Sequence, residues 1–273
     1  MGVEDMNHMV HHLFMGVMRY RDFIFDSIRR DFQLRYQNSF LGSLWLIIQP
    51  VAMIAVYTLV FSEVMRARMG DMQSPYAYSI YLCAGILTWG LFADTLGRLV
   101  NVFLTHANII KKLNFPRICL PIIAATSAFL SFMLIFGLFL IFLSVTDNFP
   151  GIVLVSILPV LLLQMLFTVG LGVWLGVMNV FIRDVGQMLT IVLQFWFWFT
   201  PIVYLSNTLP LWVQNFQRWN PMTHLIKAYQ DILLYHHAPD WPSLYPVWVL
   251  ALLLILMAWS VFKKNAGDLV DHL

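Results

Sequence analysis

Charge is what this sequence has least of. Only 11% of its 273 residues are Asp, Glu, Lys or Arg, against 60% hydrophobic residues and a mean hydropathy of +0.76. That balance is far too apolar for a soluble domain of any class. Cysteine is nearly absent, and Cys83 and Cys119 both fall in or beside apolar segments, which excludes a disulfide framework and reads as small packing residues. No GxxxxGKS or GxxxxGKT phosphate loop occurs, so the chain is not expected to hydrolyse ATP itself. A GxSxG elbow and an HExxH helix are missing too, which removes the usual nucleophile and zinc-hydrolase readings. His8, His11 and His12 sit in a polar tail, and His236-His237 lacks a neighbouring carboxylate or cysteine cluster, so no metal site is expected. The N-terminus lacks the basic start and apolar core of a cleaved signal peptide. The apolar segments also lack the mid-membrane ionisable groups of a secondary transporter, leaving only Asp94 and Arg98 near one end. Energy for any transport is therefore expected from outside the chain.

What is present is a series of apolar stretches, and one of them carries a pattern. Gln187 to Tyr204 reads QMLTIVLQFWFWFTPIVY, uncharged and long enough to cross a bilayer. Its consecutive aromatics, Phe195 to Phe199, point to every side of a helix and cannot all line one surface. Gln187, Thr190, Gln194 and Trp198 do form one stripe, with Pro201 at its outer end. An unpartnered amide is costly in lipid, so the stripe should face other helices or water. Helix packing through glutamines is one reading, and the wall of a conduit for a polar, ring-stacking cargo such as a sugar is the other.

Taken in order, residues from about Met18 to Tyr36 read as an amphipathic interfacial helix, with Arg19, Asp22, Asp26, Arg29, Arg30 and Gln33 opposite Ile24, Phe25, Ile28, Phe32 and Tyr36. The first span is expected at about Phe40 to Phe61, kinked at Pro50, with Gln49 and Tyr57 turned inward. The second, about Tyr76 to Val100, carries the stripe Tyr78, Tyr81, Gly85, Trp89 and Phe92, and an Asp94-Arg98 pair. The segment Asn101 to Pro121, with Lys111, Lys112 and Arg117, reads as a short surface helix. Further spans follow at about Ile118 to Val145, Ile152 to Phe181 and Gln187 to Tyr204. Arg183-Asp184 forms a brief charged connection before the last of these. The long segment Leu205 to Ser243 splits into two apolar helical faces. One is Leu209, Trp212, Val213, Phe216 and Trp219; the other starts at Asn220-Pro221 and holds Leu225, Ile226, Tyr229, Ile232 and Leu233. Both pieces are too short to cross, so re-entrant gate helices and a surface hairpin both remain open. The sixth span is about Leu244 to Phe262.

This gives an all-α polytopic membrane protein with six spans, an N-terminal interface helix and external helices before the last span. It is read as one domain over 1–273, divided into 1–39, 40–204, 205–243 and 244–273. Of the sixteen Lys and Arg residues, all but Arg66, Arg68, Arg218 and Lys227 fall on one side, so both termini are expected in the cytoplasm.

Four fragments in order, RRDFQLRYQNSFLGSLWLIIQP (Arg29 to Pro50), NIIKKLNFPRICLP (Asn108 to Pro121), Arg183-Asp184 and WNPMTHLI (Trp219 to Ile226), make the whole chain resemble the type 2 ABC exporter permeases. Within them it is most similar to permeases that export O-antigen and related polysaccharides across the inner membrane of Gram-negative bacteria. The resemblance implies a homodimer with two copies of a separate ATPase, which holds ATP and Mg; no cofactor is expected on this chain, and no nucleic acid. It assigns coupling to the ATPase to Asn108, Ile109, Ile110, Lys111, Lys112 and Leu113, within a segment Asn101 to Phe115, and an interface helix to Arg19 to Tyr36, with Arg29, Arg30 and Arg35. External gate helices fall at residues 209 to 235, with Trp212, Phe216, Trp219 and Tyr229. A polymer on undecaprenyl diphosphate would follow a channel at the dimer axis between the first and fifth spans, and Gln49, Tyr57, Tyr81, Trp89, Gln187, Gln194 and Trp198 are the expected lining. Gln230 departs from the family pattern, in which a basic residue is expected. Capsule, teichoic acid or a small hydrophobic compound are alternative cargoes, and an intramembrane transferase would need an acid or histidine cluster that the sequence lacks.

Overall fold

The computed structural model describes residues 20–36, 44–45, 47–48, 50–56, 76–112, 116–206 and 209–265. Helices and short connections account for all of these, with no strand among the described residues. They are α1 (Arg21–Tyr36), α2 (Ala77–Thr105), α3 (Ala107–Lys112), α4 (Cys119–Val145), α5 (Ile157–Phe181, preceded by a 3-10 turn Gly151–Ser156), α6 (Asp184–Phe199), α7 (Leu211–Gln217), α8 (Pro221–Leu233) and α9 (Trp241–Asn265). Among the described residues, α2, α4, the 3-10 turn with α5, and α9 are long and apolar enough to cross a membrane. Half of the expected first span falls outside the described residues; its residues 45, 47–48 and 50–56 are helical.

α2 and α5 form the centre of the bundle, with α4, α8 and α9 packed around them. Their contact depends on glycine. A Cβ at Gly176 would lie 2.5 Å from the Leu99 carbonyl oxygen, and one at Gly170 would lie 2.8 Å from the Ile255 backbone nitrogen. α5 therefore touches α2 on one side and α9 on the other at backbone distance, which is how helices gain dispersion energy in lipid. Buried amides add to this seam. Gln164 Nε2 donates to the Thr88 carbonyl at 2.8 Å, and Asn179 Nδ2 to the Val100 carbonyl at 3.0 Å.

Two expected boundaries are corrected. α2 runs to Thr105, beyond the expected end at Val100, so Asn101 to Thr105 belong to it and only α3 remains as a separate short helix of the Asn101 to Pro121 segment. At about 1.5 Å per residue α2 is roughly 43 Å long, more than a ~30 Å hydrocarbon core requires. The fifth stretch does not stay helical to Tyr204: α6 ends at Phe199, and Thr200 is extended at φ −103°, ψ 134°. Pro201 disfavours the helical conformation of the residue before it. Thr200 Oγ1 donates to the Trp196 carbonyl at 2.8 Å at the end of the helix. At 16 residues, α6 spans only about 24 Å.

α1 packs against α4. Phe23, Ile24, Ser27, Ile28 and Asp31 are partly buried, whereas Arg29, Arg30 and, against expectation, Phe25 are exposed. Arg98 fixes α1 to α2: its Nη1 meets Asp31 at 2.9 Å while its Nε holds Asp94 at 2.9 Å.

Candidate transport pathway and gate

α6 is the least embedded of the longer helices beside the core, with Leu189 its one buried residue. Gln187, Thr190, Gln194 and Trp198 all lie on its exposed side, and Trp198 is 59% exposed. Trp196 and Phe197 turn the other way, into an aromatic cluster with Trp89 and Phe92. The Trp89 ring lies 6.2 Å from Trp196 and 5.7 Å from Phe197, edge to face. Trp89 is thus 8% exposed and placed inside the protomer, away from the α6 stripe. Tyr81 is buried as well, its hydroxyl donating to the carbonyls of Pro201 at 3.2 Å and Tyr204 at 3.0 Å. Tyr78 does the same for Val203 at 2.5 Å. The start of α2 therefore satisfies carbonyls that the break after α6 leaves without helical partners. Gln49 and Tyr57 lie outside the described residues.

The break continues into a hub at Asn220. Its side-chain oxygen accepts from the Trp196 indole at 2.9 Å and from the Met222 backbone N–H at 3.0 Å, and its amide donates to Thr200 Oγ1 at 2.9 Å. One residue thus caps α8, whose first position is Pro221, and clasps the end of α6. A second clasp runs from Ser206 Oγ to Gln217 Oε1 at 2.6 Å and from Gln217 Nε2 to Tyr204 OH at 3.3 Å.

The expected gate residues separate. On α8, Leu225, Ile226, Tyr229, Ile232 and Leu233 are all buried, and the Tyr229 hydroxyl has no hydrogen-bond partner. On and after α7, Trp212, Phe216 and Trp219 are exposed, Trp219 by 88%. Phe216 meets Phe199 at 5.9 Å, and the two help wall an apolar groove of about 390 Å³ between α6 and the hairpin.

At the other end of the bundle, α3 contains Asn108, Ile109, Ile110, Lys111 and Lys112; Asn108 and Lys111 are exposed, and Leu113 lies outside the described residues. Ile110 is buried in one apolar cluster with Leu99, Val102 and Phe103 of α2 and Val177 and Val180 of α5. The turn that starts α3 is held by His106, whose backbone N–H donates to the Val102 carbonyl at 3.2 Å. Arg29 and Arg30 remain exposed on α1, while Arg35 lies in its last turn.

Asn179 is a functional candidate the sequence reading missed. Besides Val100 it reaches Asn101 Oδ1 at 3.3 Å, and its own Oδ1 accepts from the Gly186 N–H at 2.9 Å, so it ties the start of α6 to α2. A lone amide near the end of an apolar span was the available signal. Among the described residues no three His, Cys, Asp or Glu side chains converge as a metal site.

The family described as ABC-2 type transporter matches residues 24–234. The O-antigen export system permease protein RfbA of Myxococcus xanthus is 26% identical over 261 residues, covering 93% of this chain and 96% of the relative. The protein of the same name from Klebsiella pneumoniae is 26% identical over 247 residues, 89% and 93% of the two chains. The polysialic acid transport protein KpsM of Escherichia coli is more distant, at 20% over 243 residues, covering 86% and 90%.

Proposed function

The chain belongs to the ABC-2 type transporter family, and from that membership we propose that it is the membrane-spanning permease subunit of an ATP-driven polysaccharide exporter. Its cargo is an O-antigen-type polymer carried on undecaprenyl diphosphate across the inner membrane, and its termini lie in the cytoplasm. The names of its relatives support the polymer class. The observation that carries the reading is the exposed stripe Gln187, Thr190, Gln194 and Trp198 on α6. A polar stripe on an apolar helix needs a wet or polar partner. A second copy of the chain across a central channel supplies one.

In this reading a homodimer binds two ATPase subunits, which hold ATP and Mg. α3, with Asn108 and Lys111 exposed, is the coupling element, and α1 with its exposed Arg29 and Arg30 is the second contact. α7 and α8 form the external gate. Amides bond to sugar hydroxyls along the stripe, and Trp198 stacks on sugar C–H faces, each such contact contributing about 0.5–1.5 kcal/mol by analogy with aromatic pairs. Many weak contacts allow a polymer to slide.

Copurification with the product of a neighbouring ATPase gene, followed by assay of polymer-stimulated ATP hydrolysis, tests the assignment. Absence of a stable complex, or loss of the gene without loss of surface polysaccharide, would refute it. Export of a capsule polymer is a second reading favoured by the Escherichia coli relatives. Composition of the polymer missing from the deletion strain decides between the two.

A further inference from the structure

Beneath the α7–α8 hairpin lies a cavity of about 370 Å³, closed by the start of α2, the link after α6, and Ser243 of α9. Its size falls within the roughly 300–1,000 Å³ of small-ligand sites. Three glutamines reach its wall, but their amides are committed. Gln214 Nε2 donates to the Leu209 carbonyl, Gln217 is held by Ser206 and Tyr204, and Gln230 Nε2 donates to the Tyr81 carbonyl at 3.4 Å. Four other lining groups have no such commitment. Asp231 is half-buried, Arg218 and Lys227 are exposed, and none of the three forms an ion pair among the described residues; Thr223 Oγ1 is shielded from solvent without a hydrogen-bond partner.

The uncommitted groups carry both signs, and this selects the ligand. A free anion would meet the Asp231 carboxylate, and a free cation would meet Arg218 and Lys227. A neutral polyhydroxyl molecule suits both, because its hydroxyls donate to Asp231 and its oxygens accept from the two cations. Tyr81 and Tyr235 on the same wall add aromatic surface for sugar C–H faces. Burial pushes the Asp231 carboxyl above its ordinary range despite nearby Lys227, as a carboxylate lacking hydrogen-bond donors would show.

We propose that this cavity is a saccharide-binding subsite, in which Asp231, Thr223, Arg218 and Lys227 hold one or two sugar units of the polymer beside the hairpin. The identity of the polymer rests on the proposed export function; the chemistry of the site does not.

The test uses the full-length chain in phosphatidylglycerol nanodiscs. It is titrated calorimetrically with polysaccharide released by mild acid from the surface of the producing strain. Dihexanoylphosphatidylethanolamine, a zwitterion that also pairs with both charges, is the second probe. Saturable polysaccharide binding is expected, weakened about tenfold or more in Asp231→Asn and in Arg218→Gln, as for charged hydrogen bonds lost one at a time. Neither variant should melt below the parent. Absence of binding by the parent, or binding by both variants as tight as the parent's, overturns the proposal. Binding of the zwitterion in place of the polysaccharide also overturns it and assigns a lipid headgroup. Loss of the gene without loss of surface polysaccharide would refute export while leaving a variant-sensitive saccharide affinity intact. Export that depends on the gene, with binding insensitive to both variants, would refute the subsite alone.

Discussion

Asn220→Ala should loosen the α7–α8 hairpin without unfolding the bundle. The substitution removes the cap of α8, worth about 1 kcal/mol. It also strands the Trp196 indole N–H, at roughly 1–3 kcal/mol for a shielded donor, and removes the bond to Thr200 Oγ1, at about 1 kcal/mol. The sum is about 3–5 kcal/mol, and because every partner lies at the junction of α6 and α8 the loss is local. Amide exchange in the first turn of α8, from Met222 to Leu225, should accelerate by roughly two to three and a half decades. Exchange in the middle of α5 should not change. Asn220→Asp keeps the acceptor for both Met222 N–H and Trp196 and loses only the donor to Thr200, so acceleration of about tenfold or less is expected. Hydrogen exchange read by mass spectrometry on the detergent-solubilised chain measures all three proteins. The hub assignment fails if Ala exchanges like the parent, or if Asp and Ala behave alike.

Trp198 and Trp89 should respond differently. Trp198→Ala and Gln194→Leu are expected to reduce surface polysaccharide at unchanged membrane level and melting temperature, whereas Trp89→Ala loses about 3–5 kcal/mol of core packing and lowers the amount of folded protein. Equal melting of the two tryptophan variants would contradict the placement. Gly176→Ala would put a Cβ 2.5 Å from the Leu99 carbonyl, so destabilisation of about 1–3 kcal/mol is expected in a thermal melt; a variant as stable as the parent would rule out the close α2–α5 contact. The Asp231 pKa is raised by burial, reinforced by Asp240 and opposed by Lys227 and His237, so the folded state prefers the neutral acid. Stability then falls as pH rises from the ordinary carboxylate pKa to the raised folded value and is level above it. The melting temperature of the parent should therefore gain on that of Asp231→Asn as pH is lowered through that window, and parallel curves would negate the shift.

Hydropathy made α4, α5 and α9 legible, because long uncharged runs bounded by turns such as TDNFPG leave few alternatives. The start of α8 was legible for a local reason: Asn220 accepts from the Met222 N–H and Pro221 occupies the first helical position, as their side chains favour anywhere. The end of α6 was not. An uncharged run through Tyr204 looks continuous, and the outcome depended on Pro201 together with Tyr78 and Tyr81, distant residues that accommodate the broken backbone. Periodicity likewise put Tyr81 and Trp89 on one stripe but could not say that it packs on the protomer's own α6 and the link after it. Asp94 was readable as a partner of Arg98 at four residues, whereas Asp31 joined them only through tertiary packing.

The way α6 is held bears on how motion at the α3 end of the bundle would reach the α7–α8 hairpin. Its first turn is fastened by Asn179 through the Gly186 N–H, and its last turn by Asn220 through Trp196, while between them only Leu189 is buried. A helix fastened at both ends and packed along one face only, here through Leu189, Leu193, Trp196 and Phe197, can transmit a displacement along its axis, because its internal hydrogen bonds resist bending. Ile110 of α3 shares a buried apolar cluster with Val177 and Val180 of α5, on either side of Asn179 in sequence. If α3 is the coupling element proposed above, a push on it would arrive beside the fastening of α6, whose other end is held at Asn220, where α8 begins. The polar stripe lies on the same helix, so the surface assigned to the polymer in the proposed exporter and the link to the α7–α8 hairpin are one element.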